Sequence, residues 1–413
     1  MTTRARRRAL VIGGSLGGLF AANWLRAIGW EVTVFERVED DLASRGAGIG
    51  THEELLAVLG RLGLAVDERI GVRVTTRICL DREGRIVHRL ELPQFMSAWA
   101  RIYRLLKDAF PAESYRFGAE LAAIEQDGRG VTAVLADGTR ARGDLLVGAD
   151  GVRSTVRALL APQVEPRYAG YVAWRGVVDE REIPPAVHAE IFEHYTFCLP
   201  QGEMMLAYPV PGRDNDTRPG RRSLNFVWYR PAAERGRLRE LCTDATGRCH
   251  GTAIAPPLIR PEVLAQVKAE ARALLAPQIA QIVERAAQPF FQAIFDLASP
   301  RIVFGRVALL GDAAFVARPH VGMGVTKAAL DAQCLAQALA AEGDDIERAL
   351  ARYERERRLF GERIVARARW LGAHLEAQSE PRAARGAAGL EQRPEVLMRE
   401  IGSCSVDLRA LTA

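Results

Sequence analysis

Apolar residues recur along the chain at three different spacings, and each predicts a different kind of element. Near the amino end four consecutive apolar residues, Ala9-Leu10-Val11-Ile12, lead into a glycine-rich turn, so 9–13 reads as a buried strand. From 16 to 28 the apolar positions form a stripe at helical spacing, which Gly29 ends. The stretch 31–36 is a second strand. Strand, glycine turn, helix and strand begin a βαβ unit, so an α/β chain with a parallel sheet is expected.

Beyond about residue 70 the pattern shifts toward strands. The segments 131–135 and 141–147 flank Asp137-Gly138 as the arms of a hairpin, after which the chain is expected to return to the first sheet. Strand patterns dominate 167–297, at 171–178, 191–199, 204–208 and 224–229, punctuated by Pro209, Pro211, Gly212 and Pro219. The polar stretch 212–222 is expected to be a mobile surface loop. A helix is predicted over 261–287, a strand from 303, a helix over 324–341 and helix again through 374. The stretch 378–394, rich in Ala, Arg, Gly and Pro, is expected to be loosely ordered, and no internal repeat is evident. The pattern divides the chain into a first sheet part over 1–70, a mixed segment over 71–166 that returns to it, a β-sheet insert over 167–297, a last part of the first domain over 298–340, and a helical region over 341–413.

Composition narrows the choice of function. The 413 residues suffice for two closely packed domains, and 48% hydrophobic with 26% charged residues is ordinary for a globular protein. The net charge of +5 and a pI of about 9.0 raise the question of nucleic acid. Yet only Lys107, Lys268 and Lys327 are lysines, and the arginines are interleaved with Asp and Glu, so no nucleic-acid partner is expected. The run Arg4 to Arg8 reads as a solvated tail. The six cysteines (79, 198, 242, 249, 334 and 404) show no CxxC pairing, Cys242, Cys249 and His250 lack a fourth ligand, and reduced thiols with no metal site are expected. The apolar run before Gly13 is too short for a signal segment, and no run approaches the about 18 apolar residues of a membrane helix, so a cytoplasmic protein without membrane contact is expected.

Three short motifs carry the chemistry. Gly13-Gly14-Ser15-Leu16-Gly17-Gly18 lies between strand and helix, where a dinucleotide loop must lie. There Gly13 permits the tight turn, the helix N-terminus offers free N–H groups to a pyrophosphate, and Gly18 lets helix and strand pack closely. Glu36, 18 residues after Gly18 at the end of the second strand, can accept hydrogen bonds from ribose hydroxyls. The second motif is Gly148-Ala149-Asp150-Gly151-Val152-Arg153-Ser154, continuing to Arg157. The third is Leu310-Gly311-Asp312-Ala313-Ala314, followed by Pro319 and Gly322-Met323-Gly324.

In this order and spacing the motifs resemble those of the single-component FAD-dependent aromatic hydroxylases, the p-hydroxybenzoate hydroxylase type, over nearly the whole chain. Three further strings, 168–176, 207–213 and Arg318-Pro319-His320, are similar to the subgroup containing 2,6-dihydroxypyridine 3-monooxygenase. The resemblance implies a Rossmann-like FAD-binding domain, an inserted β-sheet substrate domain and C-terminal helices. It implies noncovalent FAD, NADH or NADPH as co-substrate, O2, and hydroxylation of an electron-rich aromatic or N-heteroaromatic ring through a flavin C4a-hydroperoxide. A homodimer is common in the family. The FAD contacts it implies are Gly13, Ser15, Leu16, Gly18, Glu36, Arg37, Arg101, Asp150, Asp312, Pro319, Gly322, Gly324 and Val325. Asp312 would meet the ribityl chain, and the helix beginning at Gly324 would aim its dipole at the flavin N1–C2=O edge.

The chain departs from the family pattern at several points. Ser15 stands at the second glycine, Phe315 at a frequent His and Thr326 at a frequent Asn, and a family arginine falls at Trp99 with Arg101 nearby. On the substrate side His320 and Tyr208 are the candidate catalytic residues. They are also candidate substrate contacts, together with Arg175 and Tyr195, and Tyr171, Trp174, Phe226 and Trp228 are expected to build the sheet. Two other readings remain: a tailoring monooxygenase or epoxidase acting on a larger natural product, and a non-enzymatic FAD-binding redox sensor.

Overall fold

The computed structural model describes residues 6–42, 48–375 and 393–403. Its cofactor-side core is a six-stranded sheet in the order Val303–Phe304, Val307–Leu309, Leu145–Gly148, Arg8–Ile12, Glu31–Phe35, Tyr115–Arg116, parallel except at the first pair. The four apolar residues Ala9 to Ile12 are all buried, as a central parallel strand covered on both faces requires. Helices Leu16–Ala27 and Gly324–Glu342 pack together through small residues: a Cβ added at Gly17 would lie 3.7 Å from the Ala328 Cβ.

The second sheet has nine strands and is mostly antiparallel. Its centre is the 13-residue strand Arg167–Asp179, flanked by Phe290–Ala298 and Ser223–Pro231 and continued by Met204–Val210 and His194–Cys198. It is completed by Val72–Leu80, Ile86–Ala98 and Gly48–Thr51 at one edge and by Phe315–Val316 at the other. Thus 72–98, within the expected mixed segment 71–166, contributes two strands to the sheet of the expected insert 167–297. Strand alternation sorts the side chains onto two faces. Trp174, Phe226 and Trp228 pack outward against helices Pro261–Leu274 and Pro277–Arg285. Tyr171, Tyr195, Tyr208 and Tyr229 take the opposite face, under the long helix Ile346–Gly372 and the short helix Pro394–Glu400.

Several expected elements differ in detail, each for a local reason. The helix expected over 261–287 is two helices, because Leu275 is extended and Pro277, which has no N–H to donate, starts the second. The strand expected over 191–199 is His194–Cys198, with Ile191 closing a helix from Pro185. The hairpin arms are Val131–Leu135 and Arg140–Gly143, and Leu145–Gly148 leaves them for the parallel sheet. The expected solvated tail is anchored where it is described: Arg7 pairs with Asp344 and lies over Trp30, and Arg8 pairs with Glu31. The expected loose stretch 378–394 lies outside the described residues as far as 392, and Pro394 opens a helix. Among the described residues no helix is long and apolar enough to cross a membrane, and no His, Cys, Asp and Glu group could hold a metal ion.

Candidate functional site

A cleft of about 470 Å³ lies where four parallel strands end. Its walls are Ile12 and Gly13 after the first strand, Phe35 to Val38 after the second, Ala149 to Gly151 after Leu145–Gly148, and Leu310 to Asp312 after Val307–Leu309. Ligands of open α/β sheets bind at such carboxyl ends.

The glycine turn is fixed by close approaches. Gly13 sits at φ +100°, and a Cβ there would lie 2.6 Å from the Ala149 carbonyl oxygen. A Cβ on Gly18 would lie 1.8 Å from the Gly13 carbonyl oxygen, so helix and strand meet only because that atom is missing. Ser15 is the extended N-cap of the helix and lines the cleft, and its side chain makes no bond to the first turn. Its Cβ is therefore tolerated, and the first-turn N–H groups are left for a ligand. Glu36 accepts from Gly14 N at 2.8 Å and Val38 N at 3.0 Å, which holds its carboxylate on the cleft wall.

The second motif is a clamp. Asp150 accepts from Ser154 Oγ at 2.5 Å and from Val156 N at 3.1 Å, while Ser154 caps the helix Thr155–Leu160. Burial pushes the Asp150 carboxyl up from its ordinary range, and these hydrogen bonds oppose that. Arg157 donates to Val164, Val152 and Ala313 carbonyls, the last at 2.9 Å, so it ties the second motif to the third.

At the third motif Asp312 lines the cleft, with 43% of its side chain accessible there. Lys327 Nζ, fully buried, lies 3.8 Å from Asp312 Oδ1 and 3.8 Å from Asp331 Oδ2. Asp331 accepts from Gly311 N at 3.0 Å and Arg357 Nε at 2.7 Å. The depth of Asp312 in the fold raises its carboxyl and Lys327 lowers it. Gly324 and Val325, at the start of the long helix, complete the wall.

Of the sequence-expected cofactor residues, the cleft walls gather Gly13, Ser15, Leu16, Glu36, Arg37, Asp150, Asp312, Gly324 and Val325. Gly18 stands behind the turn, and Arg101, Pro319 and Gly322 are not on the walls. Trp99 takes the place considered for Arg101, stacked on Tyr103 with centroids 5.1 Å apart. Phe315 points away into the long helix, where a Cβ on Gly361 would lie 2.3 Å from its ring. Thr326 Oγ1 pairs with His52 Nδ1 at 3.0 Å.

Behind the cleft a cluster of rings fills the inner face of the large sheet. Tyr171 Oη pairs with His320 Nε2 at 2.7 Å, and the Tyr229 ring lies 4.6 Å from His320. Tyr195 and Tyr208 meet edge to face at 5.0 Å, and Tyr208 donates to the Gly48 carbonyl. Arg175 is half-buried on the same face, and its Nε has no hydrogen-bond partner among the described residues. His320 is fully buried, so burial, then His374 and Arg318, hold its pKa well below the ordinary value and the ring is neutral. His320, expected on the substrate side, lies among the rings of this face, wedged between Tyr171, Tyr229 and Gly372.

The carboxyl end closes this face. Arg77 donates to the Met398 and Ile401 carbonyls at 2.7 and 2.6 Å and to Gln94 Oε1, and Gly402 N donates to the His320 carbonyl. Arg77, His52, Tyr229 and Lys327 were not singled out from sequence. The available signal was Lys327, a rare lysine four residues before Asp331 in an apolar helix; Arg77 gave none, because it lies in the polar phase of its strand and only the register shift after Val74 turns it inward.

Comparison with known proteins agrees with this geometry. Family models described as FAD binding domain-like and FAD binding domain match residues 168–296 and 264–368. The 2,6-dihydroxypyridine 3-monooxygenase of Paenarthrobacter nicotinovorans is 34% identical over 370 residues, which cover 89% of this chain and 91% of that protein. The FAD-dependent urate hydroxylase of Mycolicibacterium vanbaalenii is 29% identical, with 88% and 87% covered. The solved 2,6-dihydroxypyridine-3-hydroxylase from Arthrobacter nicotinovorans matches with a TM-score of 0.84 at 32% identity, covering 94% of this chain and 96% of that one.

Proposed function

The chain belongs to the FAD-dependent aromatic hydroxylases, and from that premise we propose that it hydroxylates a small N-heteroaromatic ring bearing hydroxyl groups, of the hydroxypyridine type, with NADH or NADPH as reductant. When bound, FAD supplies the redox chemistry and the activation of O2. The glycine turn, Glu36 and Asp312 hold the cofactor. Tyr208, Tyr195 and Arg175 contact the ring. Tyr171 Oη, with its own proton held by the neutral His320 Nε2, accepts a hydrogen bond from the ring hydroxyl, which makes the ring more nucleophilic.

The observation that carries the substrate class is the closure of the tyrosine face by the segment 393–403, through Arg77, Gln94 and Gly402. A face sealed in this way, and lined by neutral hydroxyls, an uncharged imidazole and the Arg77 and Arg175 guanidiniums, suits a small planar hydroxylated ring better than a large natural product. Sealing also keeps water from the reacting oxygen. The relative at 34% identity carries a hydroxypyridine in its name, which supports the same class.

The test is NADH and NADPH oxidation by the purified protein across hydroxypyridines, hydroxybenzoates, purines and phenols, with product and peroxide quantified. A hydroxypyridine that accelerates oxidation and leaves hydroxylated with little peroxide is the expected result. Productive turnover of only a large polycyclic compound would refute the proposed substrate class.

A further inference from the structure

Beneath the third motif three buried charges, Lys327, Asp331 and Arg357, stand behind Asp312 on the cleft wall. The unusual member is Lys327. The side chain is fully buried, and its ammonium has no hydrogen-bond partner among the described residues. Desolvating an ammonium costs several kcal/mol, so it persists in a fold only against compensating charge. All but three of the 56 basic residues are arginines, yet this position uses lysine, the compact point charge.

Asp331, as close to the ammonium as Asp312 at 3.8 Å, divides its charge among several partners. That carboxylate already accepts from the Gly311 amide and from the Arg357 guanidinium. The carboxylate without another partner is Asp312, whose oxygens accept no hydrogen bond from the described residues and stand open to the cleft. We propose that Lys327 is a positioning residue of the cofactor site: its buried ammonium keeps Asp312 an ionised acceptor for a hydroxyl of bound FAD. This rests on the placement of Asp312 in that site.

The sign of the pH effect follows from the surroundings. Asp312 faces Lys327 and Asp331 from the long helix, Arg357 through Asp331, Asp150 and Arg153 across the cleft, and Arg157 at the neighbouring Ala313 carbonyl. Burial raises its carboxyl, Lys327 lowers it and Asp331 raises it. Without Lys327 the carboxyl protonates at higher pH. Affinity that depends on the ionised form is then full above that point and lost as pH falls through it.

The experiment is equilibrium release of FAD from the holoprotein, followed by flavin fluorescence at about pH 8 and about pH 6. The wild type should change little. Lys327→Met, and Lys327→Gln as a second variant, should hold FAD about tenfold less tightly at the lower pH than at the higher. On an Asp312→Asn background the same substitutions should add no pH dependence. Equal weakening at both pH values, or pH dependence that survives Asp312→Asn, would overturn the proposal by reducing Lys327 to a packing or Asp331-pairing role. If neither lysine variant folds while Asp312→Asn retains FAD like the wild type, the placement of Asp312 fails, and the proposal with it.

Discussion

The cofactor cleft takes its walls from the ends of four parallel strands, and much of what lines it is backbone: the Gly13 turn, the first turn of the helix after Ser15, and the Gly311 loop. The tyrosine face beside it is made of side chains from separate strands of a mostly antiparallel sheet, and is closed by Arg77 reaching carbonyls 321 and 324 positions away in sequence. A backbone site needs glycine at fixed offsets, and the sequence displays such offsets openly. A side-chain site needs only that residues of suitable size alternate onto one face, and many sequences satisfy that without marking it. The two regions therefore differ in how they can be broken. The cleft is sensitive to a single added carbon, and the ring face to the loss of a single polar contact.

The sharpest break is Gly18→Val. The first added carbon already falls 1.8 Å from the Gly13 carbonyl oxygen, which is backbone and cannot swing aside. A loss of more than about 4 kcal/mol is expected, seen as colourless or insoluble protein. A yellow variant melting near the wild type would mean that helix and strand can separate without losing the site. A valine at Gly29, where an added Cβ meets nothing within 4 Å, provides the contrast: its strain comes only from φ +90°, so a smaller loss is expected.

This contrast explains what could be read in advance. The strand before Gly13, the helix after it, Glu36 and the Asp312 loop follow from local pattern and the geometry a dinucleotide demands. The joining of 72–98 to the large sheet does not, because sheet order is set by pairing between distant strands such as His194–Cys198 with Val72–Leu80. His320 shows the limit most clearly. Its place after Pro319 on the substrate side was legible, but the room for its ring is made by Gly372, well beyond it in sequence, where a Cβ would lie 2.7 Å from His320 Nε2. Arg77 falls in the polar phase of its strand with Arg73 and Thr75, is turned inward by the register shift between Val74 and Thr76, and finds its partners at the far end of the chain.

A smaller effect is expected from Arg77→Met, which tests the ring face. The substitution keeps an apolar stem but leaves the Met398 and Ile401 carbonyls without their donor. Losing charged hydrogen bonds in a buried place costs about 2–3 kcal/mol. The segment 393–403 should then become the first site of limited proteolysis, with more NAD(P)H oxidation ending as peroxide and FAD retention unchanged. His52, whose pKa burial and Arg77 together lower to about 4, should titrate nearer its ordinary value. Wild-type protease resistance and coupling would show that the segment is held by the apolar contacts of Leu397 and Met398 alone.

The smallest change is Tyr171→Phe, which removes one oxygen and keeps the ring. The ring should stay packed against Tyr229, at 6.2 Å, and against His320, so the melting temperature should fall only slightly. What is lost is the 2.7 Å pairing that leads to the imidazole, and His320 Nδ1 already has no partner, so the ring would have none on either nitrogen. If the ring hydroxyl is polarised by its hydrogen bond to this pair, kcat/KM should drop about tenfold, or about 1.4 kcal/mol, with FAD affinity unchanged. The loss should shrink at high pH, where the substrate hydroxyl ionises without help. His320→Gln should cost about the same, and the double variant little more, because two members of one relay do not add. Losses that sum, or a uniform loss at every pH, would instead make the pair a packing contact with no part in activating the substrate hydroxyl.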